Sequence, residues 1–241
     1  MNGSSSLFDI FTMLQFVIAS LLLPYVQVAA HGKLIDPIPT FLHPNEDTTS
    51  YCGTIDGPLA FPGDEYNQNP HANTEAFARH FNNSNFPNLK AFLDYFSTCD
   101  ECGITAKDGV PQPLPADGLV KWSLGQQGFV SSHEGPCELW CDDNRVFYDI
   151  NCARNISSGY IPINTIECAE AKMLVFLWLA LHTPEWQVYK NCSEIAQQPP
   201  PLKQQHHAHC PQRCHLKLLH RRLIQATRTS QRGNNVAALG T

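Results

Sequence analysis

Between Cys52 and Cys192 the chain carries eight cysteines, the others being Cys99, Cys102, Cys137, Cys141, Cys152 and Cys168. No other feature limits the accessible folds so severely. An even number of cysteines in one stretch suits an oxidising compartment and predicts four disulfides, whose connectivity the spacing leaves open. Cys99-Asp100-Glu101-Cys102 has the spacing of a thioredoxin-type redox pair. No βαβ pattern surrounds it, so both cysteines are read as structural.

The amino-terminal sequence agrees with that compartment. An apolar run from Leu7 to Leu23 is closed by Pro24 and followed by the small-residue end Val28-Ala29-Ala30. This is the pattern of a secretory signal peptide over residues 1–30, cut between Ala30 and His31, with no permanent membrane anchor. Asn-x-Ser sequons at Asn82, Asn155 and Asn191 are compatible with an exported glycoprotein. Residues 31–195 hold nine Lys/Arg against 21 Asp/Glu, a net charge of −12, whereas residues 196–241 hold seven basic residues and no acidic one. The first segment is expected to be one domain and a monomer. Its charge disfavours a nucleic-acid partner, because phosphate binding requires a basic face. The second, opening with Ala196-Gln197-Gln198-Pro199-Pro200-Pro201, is expected to be a disordered basic tail.

Within 31–195 the hydrophobic period changes. Phe77 and Phe81, then Leu89, Phe92, Leu93 and Phe96, follow a helical stripe, which predicts two short helices or one broken at Pro87. From residue 119 the period is two. Val120, Trp122 and Leu124 share one strand face, and Val146, Tyr148 and Ile150 share another. Met173 to Leu181 is a continuous apolar run, too short to span a bilayer and suited to a strand buried on both faces. Trp186 to Cys192 alternates again, placing Gln187 and Tyr189 together. The fold class is mainly β, disulfide-stabilised, with long loops and short helices.

A histidine at a new amino terminus offers a metal ion two nitrogens, its α-amine and its own Nδ1. Nitrogen ligands in a planar arrangement favour Cu(II). A second imidazole is required, and His133, in the turn-rich loop Ser131-Ser132-His133-Glu134-Gly135-Pro136-Cys137, is placed to supply it. His43, His71 and His80 are alternatives. Tyr189 suits a weak axial position, Gln187 a hydrogen bond to an oxygen species at the metal, and His182 an outer position.

The start at His31-Gly32, the His133-x-Gly135-Pro136 loop, and Ala180-Leu181-His182 leading to Gln187-x-Tyr189-x-x-Cys192 together resemble the lytic polysaccharide monooxygenases. The nearest resemblance is to the oomycete pectin-active branch, auxiliary activity family seventeen, and it covers residues 31–195. It implies an immunoglobulin-like or fibronectin-like β-sandwich. It also implies one copper ion held by His31 through amine and Nδ1, by His133 through Nε2 and by Tyr189 axially, with Gln187 beside it and His182 in an outer position. An external reductant and hydrogen peroxide or dioxygen would complete the chemistry. The implied substrate is homogalacturonan, oxidised at C4, with cellulose and chitin open. The net charge of −12 opposes an anionic polymer unless cations such as Lys33, Lys121 or Lys190 line the face.

Two other classes compete. Glu134, Asp142 and Asp143 suggest a glycosidase, in which one carboxyl donates a proton and another acts as base or nucleophile. The chain is otherwise read as a non-catalytic cell-wall-binding or effector protein that binds copper.

Overall fold

The computed structural model describes residues 31–197. The signal-peptide reading of 1–30, and the tail from 198 onward, lie outside the described residues. Ala196 and Gln197, assigned above to the tail, still bond to the domain: the Ala196 N–H donates to the Gln112 carbonyl at 2.8 Å and Gln197 Nε2 to the Ala171 carbonyl at 2.9 Å.

Among the described residues eight strands form two antiparallel sheets. β1 (Lys33–Asp36), β3 (Leu119–Ser123) and β6 (Tyr160–Pro162) make a three-stranded sheet in the order β1-β3-β6. The larger sheet runs β2-β8-β7-β4-β5, from β2 (Gly53–Asp56), β4 (Cys137–Cys141), β5 (Asn144–Asp149), β7 (Met173–Ala180) and β8 (Glu185–Glu194). Among the described residues four helices complete the order: α1 (Gly57–Ala60), α2 (Pro70–Asn82), α3 (Leu89–Phe96) and α4 (Cys152–Asn155). No described helix is long and apolar enough to cross a membrane.

The sheets face each other through one core. Leu34, Val120, Trp122 and Ile161 of the small sheet meet Leu139, Phe176, Trp178 and Tyr189 of the large one. The rings interlock, with Trp122 4.6 Å from Phe176 and 5.4 Å from Trp178. The other face of the large sheet is covered by α2 and α3, where Phe77, Phe81, Leu89, Phe92 and Leu93 pack on Val175, Leu177, Leu179, Trp186 and Val188. β7 therefore lies between two cores. Its even-numbered side chains enter one and its odd-numbered ones the other, which is why its sequence is apolar throughout.

The helical stripe resolves into α2 and α3, separated around Pro87 and started by Asn69 and Asn88, whose side chains accept the Ala72 and Ala91 N–H groups. β5 departs from the expected alternation. Leu139 pairs with Phe147 but Trp140 with Arg145, so Val146 is the extra residue of a bulge. Val146 packs in the inter-sheet core beside Phe147 while Ile150 packs in the helix-side core, so Val146, Tyr148 and Ile150 do not share one face.

Four disulfides join Cys52 to Cys99, Cys102 to Cys192, Cys137 to Cys152 and Cys141 to Cys168. Cys99 and Cys102 thus have different partners. Of the three sequons, Asn82 and Asn155 are exposed. Asn191 is buried, its Oδ1 accepting the Leu34 N–H at 2.9 Å and its Nδ2 donating to the Lys190 carbonyl. In the folded domain it is not a glycan attachment point.

Candidate functional site

At the end of the sandwich where β1 begins and β7 finishes, several polar side chains converge. His31 enters immediately before β1. Its position depends on Gly32, because a Cβ there would fall 2.4 Å from Nε1 of Trp122. The Gly32 N–H donates to the Thr49 carbonyl at 3.2 Å.

The His133 loop is fixed as firmly. The His133 N–H donates to the Val130 carbonyl, and the strand-like segment after it extends the edge of β7: Leu181 N–H bonds to the Glu134 carbonyl and Leu179 N–H to that of Pro136. Gly135 adopts φ +153° and lies against β7, where a Cβ would fall 1.9 Å from the Leu179 oxygen. Glycine is required there. His133 is 7% exposed and stacks on His182 with ring centroids 3.7 Å apart.

β8 supplies the remaining groups. Gln187 pairs with Ala180 and Tyr189 with Trp178. The Tyr189 hydroxyl donates to Gln187 Oε1 at 2.8 Å, and its ring stacks on Trp178 at 4.7 Å. Its centroid lies 6.4 Å from that of His31.

Burial sets the electrostatics. It pushes His133 down to about 3, aided by the nearby His182 and His31 and opposed by hydrogen bonding involving Ser132 and Gln187. His182 is lowered by burial and by His31. Tyr189 is raised, first by burial and then by Tyr51 and Asp47, so its phenol stays protonated. Asp47 is held below the usual carboxylate range chiefly by hydrogen bonds from Thr49; burial opposes this, and His31 adds to it. Both imidazoles are thus neutral near pH 7. The Nδ1 atoms of His31 and His182 are buried without a hydrogen-bond partner among the described residues, and the closest acid to the former is Asp47 Oδ2 at 3.5 Å.

Sequence reasoning missed Tyr51 and Asp47. Tyr51 is 39% exposed, with its ring 6.0 Å from that of His31 and 6.3 Å from that of Tyr189. Both residues sit in a loop whose composition signals only a turn. The alternative histidines lie elsewhere: His43 is exposed, His71 pairs with Glu134 and Glu75, and His80 pairs with Asp64. Among the described residues no three His, Cys, Asp or Glu side chains converge as a metal cage.

Two expectations are corrected. The glycosidase carboxyls do not come together: Glu134 is buried, with His71 Nδ1 at 3.1 Å, Asn151 Nδ2 on the same oxygen and Arg154 at 3.6 Å. Asp142 accepts the Lys172 and Met173 N–H groups at the opposite end of β7, about 25 Å away at 3.3 Å per strand residue. A glycosidase pair needs roughly 5–10 Å. Nor do the three lysines form a free cationic face. Lys190 is 2% exposed on the helix side, bound to Asp94 at 3.0 Å; Lys121 is held between Asp36 and Asp117; Lys33 donates to Thr48.

No family model matches the chain, and no curated protein matches it.

Proposed function

We propose that the chain is a secreted, copper-dependent lytic polysaccharide monooxygenase, and that its facing sheets are the immunoglobulin-like sandwich of that family. The proposed substrate is a plant cell-wall polysaccharide, with homogalacturonan first and cellulose or chitin next. The observation that carries this reading is the convergence of His31, His133, Gln187 and Tyr189 from three distant parts of the sequence.

The donor set suits copper. His133, kept neutral by burial, need lose no proton to bind a cation, and among the described residues the buried Nδ1 of His31 has no hydrogen-bond partner, with Asp47 Oδ2 3.5 Å away. His31 would hold the metal through Nδ1 and, after cleavage following Ala30, through its amine; His133 and Tyr189 would complete the set. A copper ion held by these residues would, with an external reductant and peroxide or dioxygen, supply the oxidising chemistry for a glycosidic C–H bond. The chain's own contribution is preorganisation. The loop bonds at Glu134 and Pro136 fix His133, Trp178 fixes the Tyr189 ring, and the Tyr189 hydroxyl fixes the Gln187 amide.

The test is product mass spectrometry on polygalacturonan, cellulose and chitin, using secreted protein whose first residue has been verified as His31. Oxidised oligosaccharides that require copper and reductant are expected. His133→Ala should remove them and weaken copper binding by about a hundredfold or more. Unoxidised products would indicate a hydrolase or lyase. Tight copper binding without products would leave a copper-binding wall or effector protein.

A further inference from the structure

The stretches 122–132 and 155–166 contain no Asp, Glu, Lys, Arg or His, in a segment with 21 acidic and nine basic residues. The fold brings them together. A Cβ on Gly128 would fall 2.1 Å from the Ser158 carbonyl carbon, and one on Gly159, at φ +74°, 2.0 Å from the Trp122 oxygen. The two backbones therefore touch directly, and the Trp122 N–H donates to the Gly159 carbonyl at 2.9 Å.

Above this contact lies a shallow groove of 630 Å³, lined by Gln126, Gln127, Phe129, Ser131, Ser157 and Tyr160 among others, none with an ionised side chain. Tyr160 is 52% exposed. Phe129 is buried and stacks on Trp122 at 5.9 Å, so the groove has a rigid aromatic base. Two carboxamides and several hydroxyls supply both donors and acceptors. That combination matches a pyranose ring, which has hydroxyls around its rim and C–H groups on its faces. It offers no cation to a carboxylate, whose desolvation would go uncompensated. Ser131 stands two residues before His133, and Val130, also on the groove wall, accepts the His133 N–H. The groove thus runs to the loop that carries the candidate site.

We propose that this groove is a binding subsite for uncharged pyranose units of a polysaccharide. The role of that polymer as substrate rests on the function proposed above; the binding itself does not. Uncharged rings come from two sources, methyl-esterified galacturonan and neutral glucan. On the first, the groove would select the esterified form of the polymer over the acid form.

The experiment is calorimetric titration of the metal-free full chain with three hexasaccharides: methyl-esterified oligogalacturonide, its de-esterified counterpart and cellohexaose. At least one uncharged oligomer should bind, and the one that binds identifies the source. The acid form should bind at least about tenfold more weakly. Gln127→Ala combined with Tyr160→Ala should weaken the uncharged ligand about tenfold without changing the melting temperature, since both side chains are exposed. Equal or tighter binding of the acid form, unchanged binding by the variant, or no binding of either uncharged oligomer would overturn the proposal. Neither copper nor turnover enters the readout, so failure of the monooxygenase reading would not imitate failure of the subsite.

Discussion

His133 is an ordinary loop histidine in sequence and an unusual one in place. Its neutral form is favoured by burial and by the neighbouring His182 and His31. In the unfolded chain it titrates near 6.5, so below that pH the unfolded state binds more protons than the folded one. Stability of the metal-free protein should accordingly rise with pH between about 3 and 6.5, by up to about 1.4 kcal/mol per pH unit from this residue. Urea unfolding at pH 5 and pH 7 checks the sign, and His133→Asn should flatten the difference. The motif around His133 was legible because its glycine is demanded locally by the β7 backbone. The burial of Glu134 was not legible, because His71 and the Asn151–Arg154 turn reach it only after the chain has folded.

α3 illustrates how an element is held by a residue outside it. Glu138, fully buried on β4, accepts the N–H groups of Leu89 and Lys90 at the start of the helix, the Trp140 indole N–H, and Arg145 at 2.7 Å. The carboxylate meets the positive end of the helix as well as a guanidinium. Glu138→Ala would leave these donors unpaired and should cost about 3–5 kcal/mol, read as a lower denaturant midpoint by circular dichroism. The period-based elements were legible in proportion to their burial. β7, covered on both faces, was plain as a strand, and the α2–α3 stripe was plain as helix. β5 lies at the edge of the large sheet, where a bulge reversed Val146 without leaving a mark in the hydrophobic pattern.

Across the whole domain the four disulfides tie segments that the sheets alone leave apart. Cys102–Cys192 closes a separation of 90 residues and Cys137–Cys152 one of 15. By chain entropy, replacing the first pair with alanines should cost about 4.5 kcal/mol and the second about 3 kcal/mol, a difference that calorimetric melting of the two double variants would resolve. The number of bridges was legible from composition; their pairing was not, because it depends on which strands become neighbours. The candidate site divides the same way. His31, His133, Gln187 and Tyr189 were legible as separate motifs, whereas Tyr51 and Asp47 acquire meaning only once their loop lies over β1. Asn191 adds a constraint in time. Leu34, near the beginning of the described chain, gives its N–H to a side chain near the end, so a nascent chain emerging from the ribosome cannot finish seating its first strand until its last strand has been made.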